Sequence, residues 1–348
     1  MRHQVRVGAV DGNHRWFLQN TEHCKLQIMD SFNAISFQRE ENKHLISFII
    51  PVYKDYTGLQ RTVRSIRKQT VTGYTIEIIV VNDGGDKEVK NVCQQEKVKM
   101  VEVIPNSGSY YARNRGLEHS AGQFIAFIDA DVYVPQGWLT KALEKLGSYL
   151  YLAGEVDIDK KGNQGITQQF EIYNSFPIKT YFETEHFGVT AGILVRRQLI
   201  EKVGGFDQRL RSSGDREFGK KVYDSMGKQA QVYLDSPALI HPPRTLHQFL
   251  KKIKRIKKGE VLLHHFYPQR FPKHHFFKNL WLFILSWLPP RPGRVQEYFP
   301  GEDRYPFFKK WMFLWILKIY DRYYTLVSWL VHSYASGGPA GGQTFEKV

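Results

Sequence analysis

Two acidic residues one position apart are the residues of this sequence best placed to do chemistry. Asp129 and Asp131 flank Ala130 and directly follow the apolar run at residues 124–128, which predicts a buried strand. Two carboxylates at a strand end can share one divalent cation that also holds a diphosphate, and Mg²⁺ and Mn²⁺ suit such oxygen ligands. Acidic pairs also occur in ordinary turns. The metal hypothesis therefore depends on the position of this pair directly after a predicted buried strand.

Two more polar segments follow predicted strands. Asp83 precedes two glycines. This pattern is typical of a plain turn. Alternatively, the Asp83 carboxylate accepts hydrogen bonds from the ring N–H or the ribose hydroxyls of a nucleotide. Residues 106–116 form a glycine-containing segment with Arg113. This segment predicts either an anion-binding loop that opens a helix or a capped helix with solvated arginines. The sequence patterns of P-loop NTPases and of dinucleotide-binding enzymes are absent, which disfavours both classes.

Three further candidates have ordinary alternatives. Asp215 and Glu217 lie at the predicted start of a helix, where an acid either stabilises the helix dipole or serves as a general base in a cleft. His241 precedes two prolines, and a single histidine is more often structural than a metal ligand.

The segments that position these residues alternate between strands and helices. Strands are predicted at residues 45–52, 76–81, 98–104, 124–128, 151–158 and 189–195, and helices around residues 59–66 and 168–181. This alternation predicts an α/β fold with a mixed, mostly parallel sheet flanked by helices. Ligands of such sheets bind beyond the carboxyl ends of the strands, where the polar segments fall. The sequence therefore predicts one domain with a site for a phosphate-bearing or metal-bound ligand.

Composition narrows the class of protein. The 348 residues are 42% hydrophobic, which excludes general disorder. Two cysteines, Cys24 and Cys93, exclude a disulfide scaffold and a cysteine zinc site and indicate a reducing compartment. The formal net charge of +15 predicts an anionic partner such as phosphate, nucleic acid or a lipid surface.

The C-terminal part of the chain is basic and aromatic. Residues 244–278 contain ten lysines or arginines and one acid, Glu260, and apolar blocks follow at residues 276–288 and 307–331. The first block is shorter than the roughly 20 residues of a membrane-spanning helix. The second contains five charged residues, so both predict interfacial helices. We expect residues 244–336 to associate with an anionic membrane surface, with a helical hairpin against the preceding domain as the alternative.

The two ends of the chain are predicted to lie outside a catalytic domain at residues 45–243. Residues 1–44 form an N-terminal extension, and its first 28 residues contain no apolar stretch of signal length. Residues 1–28 are either native or an upstream extension ahead of a second start at Met29. Residues 337–348 are predicted to form a flexible, glycine-rich tail.

Five motifs, in the order found here, resemble those of the family 2 glycosyltransferases with the GT-A fold. They are Ser-Phe-Ile-Ile-Pro-Val-Tyr at 47–53, Val-Val-Asn-Asp-Gly-Gly at 80–85, Ala-Arg-Asn-Arg-Gly at 112–116, Phe-Ile-Asp-Ala-Asp at 127–131, and Gly-Gly-Phe-Asp at 204–207 followed by Gly-Asp at 214–215. Each motif is degenerate, but five in the right order are specific. The resemblance extends from about residue 45 to about residue 259.

The resemblance implies a role for each matched residue. The residues that would bind a nucleotide-sugar donor, a UDP-sugar by preference, are Pro51, Tyr53, Asp83, Arg113, Asp129 and Ala130. The residues that would hold Mg²⁺ or Mn²⁺ are Asp131, Asp129 and His241. Asp215 would be the catalytic base, with Glu217 as the alternative, because Gly214 replaces the glutamate of the family's usual Glu-Asp pair.

The function implied by the resemblance is that of a metal-dependent, inverting hexosyltransferase. It would move a sugar to a hydroxyl of a glycan or lipid-linked acceptor, in polysaccharide biosynthesis on the cytoplasmic face of the cell membrane. One alternative is a nucleotidyltransferase that uses the same Asp-x-Asp metal site and releases pyrophosphate. Another is a basic, non-enzymatic protein that binds membrane or nucleic acid, although no nucleic-acid-binding module is recognisable.

Overall fold

The computed structural model describes residues 44–161, 165–272, 276–301 and 304–335. The predicted N-terminal extension, apart from His44, and the predicted tail lie outside the described residues. The strands are β1 (Leu45–Val52), β2 (Thr75–Asp83), β3 (Lys99–Val103), β4 (Phe124–Phe127), β5 (Tyr151–Ile158), β6 (Ile193–Arg196) and β7 (Gln231–His241). The helices are α1 (Tyr56–Arg67), α2 (Lys87–Gln95), α3 (Ser109–Glu118), α4 (Trp138–Leu146), α5 (Ile166–Asn174), α6 (Ile178–Glu185), α7 (Arg197–Val203), α8 (Gly214–Met226), α9 (Leu246–Phe266), α10 (Phe276–Ser286), α11 (Gly293–Tyr298) and α12 (Phe307–Ala335).

The strands form one sheet in the order β3-β2-β1-β4-β6-β5-β7. Strand β1 runs parallel to β2 and β4, β2 to β3, and β5 to β7, whereas β6 is antiparallel to β4 and β5. This arrangement confirms the predicted mixed, mostly parallel α/β fold. Both faces of the sheet are covered, since Ile78 and Val80 belong to the main hydrophobic core while Ile79 and Val81 pack in a separate cluster. Double-sided burial explains why these strands are continuous apolar runs.

The sheet brings distant polar residues together at one edge. Because β1, β2 and β4 are parallel neighbours, the residues at or just beyond their ends, including Tyr53, Asp83 and Asp129, share the carboxyl edge. A two-way backbone bridge between Tyr133 and Ile240 ties the segment after β4 to the end of β7. This bridge places His241 beside the acidic pair.

Two predicted elements have other bounds in the structure, and one strand was not predicted. The strand predicted at 189–195 is β6, which begins only at Ile193. The single helix predicted at 168–181 is two helices, α5 and α6, separated by residues 175–177. Phe176 has φ of 55°, and Pro177 has no backbone N–H to continue the helix. Strand β7 was not predicted, because its middle holds Asp235, Ser236 and Pro237 in place of a continuous apolar run.

The C-terminal helices pack against the sheet domain and against one another. Helix α9 contacts α5, α8 and α12, and α12 contacts α10 and α11. A second hydrophobic cluster joins these helices through Phe249, Phe299 and Phe313, with Phe170 of α5 at its side. Within the part of the chain that the structure describes, we find no helix with the length and apolar character of a membrane span.

Candidate active site

Asp83 organises one end of a cavity at the carboxyl edge of the sheet. Its Oδ1 atom accepts a hydrogen bond from the Ser107 backbone N–H (2.6 Å), and its Oδ2 atom accepts from the Gly108 N–H (2.8 Å) and from Asn106 Nδ2 (2.9 Å). An ionised carboxylate accepts about four hydrogen bonds, so one acceptor position is left for a ligand. Asp83 thus has the structural role of a turn residue and keeps capacity for the predicted nucleotide contact.

Most of the predicted site residues line this one cavity of about 700 Å³. They are Pro51, Tyr53, Asp83, Arg113, Asp129, Ala130, Asp131 and Asp215. His241 lines an adjoining cavity and contacts Asp131. Glu217 lines neither cavity: it is buried on α8, where its carboxylate faces Arg270 (3.3 Å) and Lys221 (3.8 Å).

The two carboxylates of the acidic pair have different partners. Asp129 Oδ1 forms an ion pair with Nη2 of Arg113, a buried residue of α3. Asp131 Oδ2 lies 3.3 Å from His241 Nε2. Among the described residues there is no group of three or more histidine, cysteine, aspartate or glutamate side chains with the arrangement of a metal site. The structure therefore brings Asp131 and His241 together and directs Asp129 to an arginine.

The Nε2 atom of His241 is unprotonated and lies near both Arg244 and Asp131. Its Nδ1 lies 2.6 Å from the Pro242 carbonyl oxygen, so Nδ1 carries the proton and donates to that carbonyl, while Nε2 accepts from Arg244 Nη2 at 2.7 Å. Burial lowers the pKa of His241 and raises the pKa of Asp131, and the nearby Asp129 raises the Asp131 pKa further. The single lone pair of Nε2 is occupied by the hydrogen bond from Arg244, and Asp131 Oδ2 lies 3.3 Å from the same nitrogen. Asp131 and His241 would hold a divalent cation where that cation replaces Arg244 at Nε2.

Asp215 lies at the first turn of α8. Its Oδ1 accepts hydrogen bonds from the Tyr110 hydroxyl (3.2 Å) and from the Arg216 backbone N–H (3.0 Å). Desolvation by burial raises the pKa of Asp215. Because its Oδ2 takes no part in either contact, this carboxylate can receive a proton from a ligand in the cavity.

Sequence reasoning missed three charged residues at the site. Arg244 lies between His241 and Glu171, and donates to Glu171 through its backbone N–H (2.7 Å) and Nη1 (2.8 Å). Lys252 lies 3.7 Å from Glu171, and burial together with Arg244 lowers its pKa to about 7. Burial alone would raise the pKa of Glu171, but Arg244 and Lys252 outweigh it and the pKa is lowered. The signal was the basic run after His241, which we interpreted as a membrane-facing segment.

Comparison with known proteins shows a similarity to glycosyltransferases. The family model "Glycosyl transferase family 2" matches residues 47–204. Glycosyltransferase AglE of Haloferax volcanii is 26% identical over 223 residues, which cover 62% of this chain and 73% of that protein. The GalNAc(5)-diNAcBac-PP-undecaprenol beta-1,3-glucosyltransferase of Campylobacter jejuni is 27% identical over 180 residues, which cover 47% of this chain and 58% of that protein.

A solved structure supports the fold. The crystal structure of a mycobacterial protein superimposes with a TM-score of 0.50 at 15% sequence identity, over 68% of this chain and 78% of that chain. The family match starts within β1 and ends just after α7, so it includes the acidic pair. The comparisons therefore support a family 2 glycosyltransferase with a GT-A-like fold, on a family match that covers residues 47–204.

Proposed function

We propose that this chain is a metal-dependent, inverting glycosyltransferase that moves a sugar from a nucleotide-sugar donor, with a UDP-sugar favoured, to an acceptor hydroxyl. The observation that carries the proposal is that Asp83, the acidic pair and Asp215 line a single cavity. Its volume of about 700 Å³ lies in the range of small-molecule sites. The nucleotide would lie at the Asp83 end, near Pro51 and Tyr53.

Charges around Asp131 suit the diphosphate of such a donor. Asp131 and His241 would hold Mg²⁺ or Mn²⁺, and a bound cation would stabilise the negative charge of the departing nucleoside diphosphate. Arg244 and Lys252 line the same cavity. Arg244 carries a permanent positive charge, whereas Lys252, with a pKa of about 7, is charged only when it takes up a proton. An anionic ligand favours the protonated form of Lys252. Binding of the donor would therefore add a positive charge to the site at Lys252.

Asp215 would act as the base of a single displacement. The acceptor oxygen forms a bond to the anomeric carbon, the bond from that carbon to the diphosphate oxygen breaks, and the acceptor proton passes to the Asp215 carboxylate. One displacement inverts the anomeric centre. Glu217 is a poorer candidate, because its carboxylate is turned to Arg270 and Lys221 and lies outside the cavity.

The acceptor would be a glycan or a lipid-linked glycan at the cytoplasmic face of the cell membrane. One relative is named for action on an undecaprenol-diphosphate-linked substrate. Support from this chain comes from α10, where Phe277, Trp281 and Ile284 are all more than half exposed and recur at helical spacing, with the exposed Leu288 two residues beyond the helix. An exposed aromatic and aliphatic stripe suits a peripheral contact with lipid headgroups.

Nucleoside diphosphate release from a panel of UDP- and GDP-sugars tests the proposed activity. Wild type, Asp131→Ala and the exposed control Asp157→Ala are assayed with Mn²⁺ and with EDTA, with candidate glycan acceptors present. We expect release from one donor, lost with EDTA and in Asp131→Ala and retained in Asp157→Ala, and a product of inverted anomeric configuration. Pyrophosphate release would contradict a glycosyltransferase, and a retained configuration would contradict the single displacement.

Flotation with liposomes tests the membrane contact. We expect the full chain to float with vesicles that contain anionic phospholipid, and a Trp281→Ser/Leu288→Ser variant to stay in the soluble fraction. Equal flotation of wild type and variant would contradict a contact through α10.

A further inference from the structure

A second cavity, which we call the basic groove, adjoins the candidate active site. It has a volume of about 880 Å³ and lies between α1 and the first half of α9. Residues that line the groove and not the active-site cavity include Arg61, Arg64, Lys68 and Lys251. Residues that line both cavities are Asp55, Asp131, Arg244, Lys252 and Arg255. The two cavities therefore meet at a border of three cations and two acids.

Most of the positive charge of the groove has no protein counter-ion. Within the described residues, no carboxylate oxygen lies within 4.0 Å of the charged nitrogens of Arg61, Lys68, Lys251 or Arg255, whereas Arg64 pairs with Glu96 at 2.8 Å. The Arg61 guanidinium donates a hydrogen bond to the Asp131 backbone carbonyl at 3.2 Å. This bond orients the Arg61 side chain but does not neutralise its charge. The groove thus presents a set of mutually repelling cations to solvent.

The two acids at the border leave the groove basic, because seven lysines and arginines line it. The Asp55 carboxylate accepts from the Gly58 backbone N–H at 2.9 Å and caps α1. Asp131 faces His241 at 3.3 Å. Clustered cations in a cleft raise the local concentration of anions, and guanidinium groups match phosphate oxygens in two-bond geometry while ammonium groups act as point charges. The groove fits a phosphate-bearing ligand.

Helix α9 connects the groove to the active site. Lys251 lines the groove alone, Lys252 and Arg255 line both cavities, and Glu260 lines the active-site cavity alone. Nine residues separate Lys251 from Glu260, which at 1.5 Å per helical residue corresponds to about 14 Å. A ligand of that length can lie along α9 with one end in each cavity.

We propose that the basic groove binds a phosphate group of the acceptor substrate, while the acceptor hydroxyl lies in the cavity that contains Asp215. This assignment rests on the proposed glycosyltransferase function and adds the chemical class of the acceptor to it. The phosphate belongs either to a lipid-linked acceptor or to a soluble, phosphate-bearing glycan. Both carry the same anionic group.

Isothermal titration of three probes into the full chain tests the proposal. The protein is first saturated with UDP and Mn²⁺, so that the donor site is occupied. Farnesyl phosphate represents the lipid source, glycerol 3-phosphate represents the soluble source, and farnesol lacks the phosphate. We expect at least one of the two phosphates to bind in the presence of UDP and, where farnesyl phosphate binds, farnesol to bind at least tenfold more weakly. Tighter binding of farnesyl phosphate than of glycerol 3-phosphate assigns the lipid source, whereas equal affinity or tighter binding of glycerol 3-phosphate assigns the soluble source.

A charge-matched pair of variants shows where the probes bind. Lys68→Ala/Lys251→Ala removes two cations of the groove, and Lys87→Ala/Lys90→Ala removes two exposed cations of α2. We expect the first variant to weaken phosphate binding tenfold or more, the scale of one charge-assisted contact. The second is expected to change it less than twofold, and UDP affinity is expected to be unchanged in both.

Four results would overturn the groove assignment: phosphate probes that UDP displaces, phosphate affinity that Lys68→Ala/Lys251→Ala leaves unchanged, farnesol affinity that equals a measurable affinity for farnesyl phosphate, or no phosphate binding by a protein that binds UDP. The last result would leave the proposed function intact. A wild-type protein that does not bind UDP would contradict the proposed function itself. The acceptor assignment, which rests on that function, would then also be wrong.

Discussion

The phenol ring of Tyr110 occupies the space into which a side chain at residue 214 would project. A Cβ atom built on Gly214 would lie 2.7 Å from Tyr110 Cε2 and 2.9 Å from Tyr110 Cζ, closer than real Cβ contacts allow. The same tyrosine donates its hydroxyl hydrogen bond to Asp215, the next residue along the chain. Gly214 stands where the family's Glu-Asp pair has glutamate. The space of that glutamate side chain is filled by the Tyr110 ring, whose hydroxyl contacts Asp215.

Replacing Tyr110 by phenylalanine should shift the pH dependence of the reaction. The hydroxyl stabilises the charged form of Asp215 and lowers its pKa, against the larger effect of burial that raises it. A base must be deprotonated to act, so activity falls as the pH falls through this pKa. We expect Tyr110→Phe to move the acid limb of kcat/KM up by about one pH unit. Tyr111→Phe, one residue along α3, is the control and should leave the limb in place.

Placing glutamate at residue 214 should be harmful only while Tyr110 is present. We expect Gly214→Glu to destabilise the protein by about 1–3 kcal/mol, the usual range for overpacking, and to lower activity. The double variant Tyr110→Ala/Gly214→Glu has room for the side chain. Urea unfolding of the four proteins of the cycle measures the coupling, and additive effects of the two substitutions would contradict the steric relationship.

Donor binding should take up a proton at Lys252. With a pKa of about 7, this lysine is mostly neutral at pH 8, and a diphosphate beside it favours the charged form. We expect about half a proton or more to be taken up per UDP bound at pH 8 in wild type. Lys252→Met should lose this uptake, whereas Lys254→Met should retain it. Titration calorimetry in buffers of different ionisation enthalpy measures the number, and equal uptake in wild type and Lys252→Met would show that another group takes the proton.

Removing the charge of Glu171 should weaken the fold as well as the site. Glu171 is fully buried and accepts two hydrogen bonds from Arg244, with Lys252 at 3.7 Å. Breaking a buried charge pair by removing one partner typically costs 3–5 kcal/mol. We expect Glu171→Gln to lose about 3 kcal/mol of unfolding free energy and the exposed control Glu88→Gln to lose less than about 0.5 kcal/mol. A loss below 1 kcal/mol in Glu171→Gln would show that Arg244 and Lys252 do not depend on this carboxylate.

The strands that carry the site could be predicted because they are buried on both faces. The runs at β1, β2 and β4 are short, apolar and β-branched, and each ends at a polar residue of the cavity. Strand β7 gives no such pattern, since Asp235 and Ser236 lie exposed in its middle. Its role at the site, which is to present His241, was therefore visible only through the resemblance.

The charged network around Arg244 could not be predicted for a different reason. Its partner Glu171 is 73 residues away in sequence, on a helix whose boundaries were predicted incorrectly. A basic run in sequence does not show which of its residues point inward, and in α9 the same run supplies both the partly buried Lys252 and the exposed Lys251. The Tyr110–Gly214 contact is likewise between segments about a hundred residues apart, so only the fold shows it.

The most direct test of the account separates donor binding from turnover at two neighbouring carboxylates. Asp215→Asn and Glu217→Gln are compared with wild type for UDP affinity and for sugar transfer from the active donor. We predict that Asp215→Asn binds UDP within about threefold of wild type and loses about 10²- to 10⁴-fold in kcat, while Glu217→Gln retains transfer to the extent that it folds. Transfer that survives in Asp215→Asn and disappears in a folded Glu217→Gln would contradict the assignment of Asp215 as the base.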